Sequence, residues 1–556
     1  MQPSSPRDRS FGAALLAITV AAAALRLWRL DEQILGDDEL HLLVVVTGRT
    51  LREIPGTVIG YDYGIPLALL DRAWSALAPL TEWALRAPML LCGIATPALA
   101  ALLARRFASR SVALLLALAV AVHPLCVFYS RTVRPYGVCL ALVLGVLLAL
   151  QRWQRTRRRG ALGWAIALSA LACWCQPLAG ITVALAWLAA WLVELAPGGR
   201  ARAAAGAASL ALLATLLLYA PALEEVYRRV VLAKTGVGTL DAHVLARDAA
   251  VLSGMPGLLP ALLLGACVAA GAVRLARLAG RRALLLLLPA AGQPLVILLL
   301  APEGMEASLV LARYQFYVLP VFLLCACLAL AALAAAAGDL LARAGVLPSR
   351  AAGARTGLLI AVLLAACWVA FGPWADIYAR RNAYTHHDLF QTLAYRDDPA
   401  WRAARARGPD APVHPFYAQL AGPDVPLVLE WPPPMDYPRN ELPFAQAVHD
   451  HPMKLLVRPP ESPTPEPWWS DARLALRNVV VARPDVLARL PRGTAIVVHR
   501  NPSVEAGHFR AHIDGWLPPA PAHARACAEV LATLAAACGP PLLEDRYLVV
   551  FRVPGQ

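Results

Sequence analysis

Charged side chains are scarce in this chain of 556 residues. Only 16% of the residues are Asp, Glu, Lys or Arg, whereas about 25% is usual for soluble domains. The hydrophobic share is 59%, and the mean hydropathy is +0.55. This composition excludes an ordinary soluble protein and predicts a membrane protein.

The cysteines lack the spacing of metal-binding modules. There are eleven of them, and none forms a C-x-x-C pair. Several, such as Cys173, Cys175 and Cys325, fall inside apolar segments, where we expect them to be small buried hydrophobic residues. Cys527 and Cys538 fall in the polar C-terminal region, and the sequence leaves open whether they form a disulfide.

Three further features are missing. The net charge is +14, but the arginines are not clustered as in a nucleic-acid-binding patch. No glycine-rich phosphate loop follows a strand-like stretch, which argues against a nucleotide site. The N-terminal apolar segment from Phe11 to Leu25 is followed by Arg26 and Trp28 without a small-residue cleavage site, so we interpret it as a retained first span.

Long apolar segments fill the first two thirds of the chain. A transmembrane helix needs about 20 apolar residues to cross the hydrocarbon core. The pair that meets at Gln176-Pro177 is short and is compatible with a hairpin that does not fully cross. We predict about eleven spans near residues 11–30, 86–104, 112–128, 137–152, 161–176, 178–195, 204–220, 251–273, 283–300, 315–337 and 357–374.

Arginines and acids segregate between alternate loops. Residues 105–110, 151–159 and 274–282 are rich in arginine, whereas the opposite set of loops holds the acids of 31–39. Because arginine excess marks the cytoplasmic side, we predict a cytoplasmic N-terminus in a cell inner (plasma) membrane. The same rule places the acids of the first loop, and everything after residue 374, outside the cytoplasm.

The composition changes after Trp374, so we predict two domains. Residues 1–374 would form the transmembrane domain, with amphipathic helices in the first outer loop at 31–86. Residues 375–556 would form a small extracytoplasmic α/β domain. The overall fold class is thus a mostly α, polytopic membrane protein. The expected strands are 425–431, 454–459, 478–484, 494–500 and 546–553.

Carboxylates, arginines and tyrosines gather at the outer ends of spans. The stretch GDDELH follows the first span, FYSRTVRPYG ends the third, and ARYQFYVLP enters the tenth. A carboxylate beside a span is costly, which favours a functional role over a simple helix end. Guanidinium groups suit bidentate contact with phosphate. The candidate site residues are Asp37, Asp38, Glu39, Asp62, Tyr129, Arg131, Arg134, Tyr136, Arg313 and Tyr314.

These motifs resemble the GT-C membrane glycosyltransferases, in particular dolichyl-phosphate-mannose protein mannosyltransferases and lipid A aminoarabinose transferases. In DELH, Asp38, Glu39 and His41 match the DE-x-H motif of the protein mannosyltransferases. YSRTVRPY is similar to the YSxExRxY of bacterial members, although Arg131-Thr132-Val133 stands where the acid is expected. The pair Arg313-Tyr314 matches a recurring RY pair. A second departure is GYDYGIPL, where relatives often have a His-Pro-Pro run.

The resemblance implies a GT-C fold and inverting transfer of a sugar from a polyprenyl-phosphate donor to an acceptor hydroxyl on the extracytoplasmic face. It favours Asp38 as the general base, with Asp37 and Glu39 as close alternatives. Arg134, Arg131 or Arg313 would stabilise the lipid phosphate. The tyrosines 129, 136 and 314, and Asp62, would contact donor or acceptor. A divalent metal is possible, with Asp38, Glu39, His41 and the distant pair His386-His387 as candidate ligands.

Two other classes of function stay open at this point. A transporter or flippase would require ionisable groups near mid-membrane and two similar halves, and neither is evident. A membrane-anchored scaffold would need far fewer spans. The acceptor (protein, lipid or glycan) and the sugar are not identified by the sequence.

Overall fold

The computed structural model describes residues 6–28, 30, 39, 42, 45–46, 49–56, 64–77, 82–232, 235–236, 238–255, 258–302, 305, 308–343, 416, 419–420, 424–425, 428–431, 487, 492–500, 520–545 and 548–554. Several predictions lie outside these residues. They are the site residues Asp37, Asp38, His41, Asp62, His386 and His387, the span at 357–374, and the strands at 454–459 and 478–484.

The described part of the chain is mostly α-helical. Its helices are α1 (Pro6–Leu27), α2 (Ile65–Ser75), α3 (Glu82–Ala104), α4 (Arg110–Val122), α5 (Pro124–Arg131), α6 (Tyr136–Thr156), α7 (Arg159–Cys175), α8 (Pro177–Glu194), α9 (Ala201–Tyr219), α10 (Leu223–Val226), α11 (Ala242–Ser253), α12 (Leu258–Ala279), α13 (Leu284–Leu300), α14 (Ser308–Gln315), α15 (Leu319–Arg343) and α16 (Ala520–Cys538). A π-helical turn at Tyr227–Leu232 follows α10. The mostly α fold class is therefore confirmed.

Seven helical stretches among the described residues are long and apolar enough to cross a membrane, or eight if the bent pair α4–α5 counts as one span. One stretch, Leu258–Leu300, has 43 residues, about twice what a bilayer needs, and it covers the predicted span at 283–300 and most of the one at 251–273. Helix α7 has only 17 residues. A multi-pass membrane protein is thus confirmed, while the count of eleven stays a prediction.

One predicted span began too early. We expected a helix over 251–273, but α11 ends at Ser253 and α12 begins at Leu258. Gly254 adopts the left-handed conformation with φ of 70°, and its N–H donates to the Val251 carbonyl. This C-terminal cap ends α11, although the sequence beyond it is still apolar.

The chain forms two compact units. The first comprises Met1–Trp28, Pro55–Leu67 and Ala87–Asp376, and the second comprises Arg29–Ile54, Ala68–Arg86 and Ile377–Gln556. The predicted domain boundary at residue 374 stays a prediction, since residues 344–415 lie outside those described.

Close helix packing forms the core of the first unit. Helix α6 packs on α7, α8 packs on α13, and α12 packs on α15. At the last of these contacts, a Cβ at Gly271 would collide with the carbonyl oxygen of Cys325. Only glycine lets the two backbones approach this closely, as is common between helices in membranes.

The second unit contains a four-stranded sheet of β1 (Val428–Trp431), β2 (Ala495–His499), β3 (Leu543–Glu544) and β4 (Leu548–Arg552), in the order β1-β2-β4-β3. Strand β1 is parallel to β2, while β4 is antiparallel to both β2 and β3. The alternate residues Ile496 and Val498 share a buried core with Leu534 of α16. The small sheet expected near the C-terminus is therefore confirmed: β1, β2 and β4 fall within the predicted stretches 425–431, 494–500 and 546–553, whereas β3 was not predicted.

The C-terminal cysteines do not form a disulfide. Cys527 and Cys538 are both free and lie on the single helix α16. Eleven residues of helix separate them by roughly 16 Å, far more than the roughly 7 Å that a disulfide can bridge. The pairing that the sequence left open is thus excluded by geometry.

Candidate active site

The first arginine–tyrosine motif, FYSRTVRPYG, begins in the second half of a broken helix. Helices α4 and α5 meet at His123 with a bend of 55°. The His123 Nδ1 accepts a hydrogen bond from the Leu125 N–H at 3.2 Å, and its Nε2 lies 3.1 Å from the Leu252 carbonyl oxygen. Pro124 follows at the first position of α5, where its missing N–H costs nothing. His123 is therefore a helix cap held by hydrogen bonds, and not an exposed metal ligand.

Four aromatic rings meet beside this break. The centroid of the Tyr129 ring lies 4.9 Å from that of Tyr136 and 4.8 Å from that of Phe316. Tyr136 stacks on Tyr317 at 6.4 Å. The Arg313 guanidinium lies over the Tyr136 ring, 5.4 Å from its centroid, in a cation–π arrangement. The structure thus brings Tyr129 and Tyr136 of the first motif into contact with Arg313, Phe316 and Tyr317 of the second. We call the two motifs together the arginine–tyrosine cluster (Tyr129, Arg131, Arg134, Tyr136, Arg313, Tyr314, Phe316 and Tyr317).

Two of the three arginines of this cluster are withdrawn from solvent, while Arg313 is half-buried. Arg131 is 2% exposed and Arg134 is 3% exposed. Arg131 Nη1 lies 3.4 Å from the Leu25 carbonyl oxygen at the end of α1, and the Arg134 backbone N–H donates to the Thr132 carbonyl at 2.8 Å. Burying guanidinium groups is costly unless hydrogen bonds or an anion compensate. The arrangement is therefore well suited to hold a negatively charged group.

Sequence reasoning missed Arg26 and the aromatic pair Phe316 and Tyr317. Arg26 is fully buried and donates to Ser130 Oγ and to the Ala22 and Ala121 carbonyl oxygens, each at 3.0 Å. Its Nη2 and the Tyr317 hydroxyl have no hydrogen-bond partner among the described residues. Phe316 and Tyr317 were readable in RYQFY, directly after the predicted Arg313-Tyr314 pair. Arg26 was not, because a lone arginine near the end of an apolar span resembles one that reaches for lipid headgroups.

A hydrogen-bond chain fixes the backbone of Tyr314. Thr182 Oγ1 on α8 donates to Gln293 Oε1 on α13 at 2.5 Å, and Gln293 Nε2 donates to the Tyr314 carbonyl at 2.7 Å. All three groups lie in the interior, where such hydrogen bonds are electrostatically strong. Three helices are thereby tied together at the segment that carries Arg313.

Asp248 is a buried acid next to this segment. It is 5% exposed, and its Oδ2 accepts a hydrogen bond from Gln315 Nε2 at 3.0 Å. Burial raises the pKa of Asp248 to about 7, while the Gln315 hydrogen bond opposes that rise. Its Oδ1 has no hydrogen-bond partner within the described ranges. A carboxyl group that titrates near neutrality is a candidate for proton transfer.

Of the three predicted catalytic acids, the structure describes Glu39. This residue is 2% exposed, and its Oε1 lies 3.7 Å from Nη2 of the fully buried Arg86. Both residues belong to the second unit. In the same unit, burial raises the pKa of Asp71 to about 8. Asp37 and Asp38 lie outside the described residues, as does Asp62.

A metal site stays a prediction. Within the described ranges, no three His, Cys, Asp or Glu side chains come together in a way that would hold an ion. The candidate ligands His41, His386 and His387 fall outside those ranges, and Glu39 forms the ion pair with Arg86.

Comparisons with known proteins give a family match in the N-terminal half. Residues 67–224 match the family model of dolichyl-phosphate-mannose-protein mannosyltransferase, which is less than a third of the chain. No curated protein sequence matches. The matched region includes Tyr129, Arg131, Arg134 and Tyr136 of the arginine–tyrosine cluster.

Two solved structures resemble the chain at low identity. One is ArnT from Cupriavidus metallidurans bound to undecaprenyl phosphate, with 15% identity, a TM-score of 0.48, and 97% of this chain and 99% of that one covered. The other is the oligosaccharyltransferase AglB from Archaeoglobus fulgidus, in complex with an inhibitory peptide and a dolichol-phosphate. It shows 12% identity and a TM-score of 0.48, with 94% of this chain and 72% of that one covered. TM-scores below 0.5 do not by themselves establish a common fold.

The family match thus agrees with the motifs read from the sequence. The matched residues run from α2 through α10 and include the broken helix that carries Tyr129 and Arg131. The resemblance to GT-C membrane glycosyltransferases is therefore confirmed, and it is carried by residues 67–224.

Proposed function

We propose that this protein transfers a sugar from a polyprenyl-phosphate donor to an acceptor hydroxyl on the extracytoplasmic face of the membrane. The observation that carries the proposal is the buried arginine–tyrosine cluster, assembled from two motifs that lie far apart in the chain. The family match, to a model of dolichyl-phosphate-mannose-protein mannosyltransferases, supports the same reaction class.

The cluster would bind the phosphate of the lipid donor. During transfer, the bond between the anomeric carbon and the phosphate oxygen breaks, and the leaving phosphate gains negative charge. Arg131, Arg134 and Arg313 would stabilise that charge through charge-assisted hydrogen bonds, which are strongest where water is excluded. The phenols of Tyr136 and Tyr317 would add hydrogen bonds or stack on the sugar.

Arg26 would act as a positioning residue for this cluster. It holds Ser130 Oγ at 3.0 Å and the Ala121 carbonyl at 3.0 Å, so it links α1 to both halves of the broken helix. Ser130 immediately precedes Arg131, and a fixed Ser130 restricts where the Arg131 side chain begins. Side chains that bind a transition state must be held by such surrounding contacts.

Asp38 would take the proton of the acceptor hydroxyl. In a single displacement, the acceptor oxygen bonds to the anomeric carbon, its proton passes to Asp38, and polyprenyl phosphate leaves, which inverts the anomeric centre. Asp37 is the closest alternative base. Glu39 is committed to the ion pair with Arg86, which suits a structural role better than that of a base.

The organisation predicted from the sequence belongs to this proposal. Residues 1–374 would form the catalytic transmembrane domain, and residues 375–556 would form an α/β domain outside the cytoplasm. The arginine-rich loops at 105–110 and 151–159 support a cytoplasmic placement of that face.

Lipid analysis of a deletion strain tests the proposal. Loss of the gene should make one polyprenyl-phosphate-linked sugar accumulate, and the wild-type gene should reverse this. Asp38→Asn should lower donor consumption by about 10²–10⁴-fold, the usual worth of a general base. Arg134→Gln should weaken donor use more than Arg134→Lys, because lysine keeps the charge and loses only the bidentate geometry.

Each variant must keep the wild-type unfolding temperature in lipid nanodiscs for the comparison to count. Normal donor consumption by a folded Asp38→Asn protein would exclude Asp38 as the base. A deletion strain whose polyprenyl-linked sugars are unchanged would overturn the glycosyltransferase assignment itself.

A further inference from the structure

A cavity of about 570 Å³ lies where α3, α6 and α12 end, within the first unit and apart from the arginine–tyrosine cluster. Its polar lining consists of four arginines and two glutamines, and none of the lining residues is acidic. The six polar residues are Arg105, Arg106, Gln151, Gln154, Arg155 and Arg282.

The cations around this cavity repel one another. The pKa of Arg106 is lowered, first by partial burial and then by the positive charges of Arg155, Arg105 and Arg152. The nearby acid Glu194 does not line the cavity, and its Oε2 lies 2.6 Å from Arg157 Nη1. Positive charge therefore accumulates here without an acidic side chain in the cavity wall to offset it.

The two glutamines supply a second, independent sign of a ligand. Gln151 is 6% exposed and Gln154 is 7% exposed, although both line the cavity. The amide nitrogen of Gln154 is buried and has no hydrogen-bond partner in the described part of the chain. A buried donor without a partner costs free energy, and an acceptor bound in the cavity would remove that cost.

Positive-inside loops alone do not account for this geometry. Arginines that mark topology extend separately toward lipid headgroups. Here Arg105, Arg155 and Arg282 come from three segments that lie far apart in the chain, and they line one cavity together with Gln154, whose amide nitrogen is buried. Several guanidinium groups and an amide N–H form a donor set that matches the oxygens of a phosphate group.

We propose that this cavity is a phosphate-binding site on the arginine-rich face of the protein. The phosphate belongs either to an anionic lipid headgroup or to a soluble phosphate compound, and the donor set is the same for both. The site is separate from the proposed catalytic cluster, so it does not depend on the glycosyltransferase assignment.

The test uses the full-length protein in phosphatidylcholine nanodiscs. In one arm inorganic pyrophosphate is titrated, and in the other phosphatidylglycerol replaces part of the lipid and its retention is measured by native mass spectrometry. We expect binding in at least one arm, and the arm that responds identifies the source of the phosphate. Absence of binding in both arms overturns the proposal.

Paired variants separate the site from the general charge of this face. The double change Arg106→Gln/Arg155→Gln should weaken binding at least about tenfold. All four of these arginines are exposed, but Arg159 and Arg202 do not line the cavity. Arg159→Gln/Arg202→Gln therefore removes the same charge and should leave binding unchanged. Equal losses in the two double variants would show only a diffuse surface effect and would contradict the proposal.

Gln154→Met provides a variant that keeps all the arginines. Methionine has a similar length and no amide, so binding should weaken several-fold while the ligand-free protein unfolds at the same or a higher temperature. This result is expected even if the arginine double variant fails to fold. Unchanged binding by Gln154→Met would show that the amide does not contact the phosphate, and it would contradict the proposal.

Discussion

Asp248 gives the protein a pH-dependent stability that one substitution should abolish. Burial raises the pKa of this carboxyl from 3.8 to about 7. A raised pKa means that the folded protein holds the proton more tightly than the unfolded chain does. The stabilising contribution is therefore complete below about pH 4 and is lost as the pH rises through about 7.

The expected magnitude follows from the size of the pKa shift. One pKa unit corresponds to about 1.4 kcal/mol, so ionisation of Asp248 opposes folding by about 4 kcal/mol at high pH. Between about pH 5 and pH 8, the wild-type protein should lose roughly 2 to 3 kcal/mol relative to Asp248→Asn. Asparagine can still accept the hydrogen bond from Gln315 Nε2, now 3.0 Å from Oδ2, but it cannot ionise.

Thermal unfolding in nanodiscs at about pH 5 and pH 8 measures this difference. Part of the loss is already present at about pH 5, so the advantage of the variant in unfolding temperature should be several degrees larger at about pH 8 than at about pH 5. Asp339→Asn is the matched control, because Asp339 is an exposed acid on α15. Parallel pH profiles for the wild type and Asp248→Asn would refute the assignment of a buried, neutral Asp248.

Two further predictions concern packing and charge. Gly271→Val should destabilise the protein by about 1–3 kcal/mol or more, because its side chain would collide with the Cys325 carbonyl. Gly265→Ala on the same helix meets nothing within 4 Å and should be nearly neutral in the same unfolding assay. Arg86→Leu should cost about 3 kcal/mol by leaving a buried carboxylate without its guanidinium, and adding Glu39→Leu should recover much of the loss. A double variant no more stable than Arg86→Leu alone would contradict that account.

Helices and motifs were predictable to different degrees. Long apolar runs located most of the spans, because burial in lipid requires about 20 apolar residues whatever the neighbouring helices do. The boundary at Gly254 was missed, because a left-handed cap depends on backbone conformation and leaves the hydropathy unchanged. The disulfide between Cys527 and Cys538 was left open, because the sequence did not show that one helix spans both residues.

The residues of the candidate site were likewise predictable to different degrees. The YSRTVRPY and RYQFY stretches were recognisable because each combines arginine with tyrosine at the outer end of a span and resembles a motif of the GT-C enzymes, and the structure brings Tyr136 and Arg313 together. The buried acids Asp71 and Asp248 were not among the residues that the sequence singled out. An acid in a short amphipathic helix has the same sequence signature whether it faces water or the interior, so its raised pKa could be found only from packing.

The chain of hydrogen bonds from Thr182 through Gln293 to Tyr314 limits how the proposed enzyme can open. Swinging α14 outward as a gate would break the hydrogen bond from Gln293 to the Tyr314 carbonyl and the one from Gln315 to Asp248, both in the interior. We therefore expect the segment that bears Arg313 to keep its position during turnover. Entry of a long-chain lipid and departure of its spent carrier must then depend on motion elsewhere in the molecule.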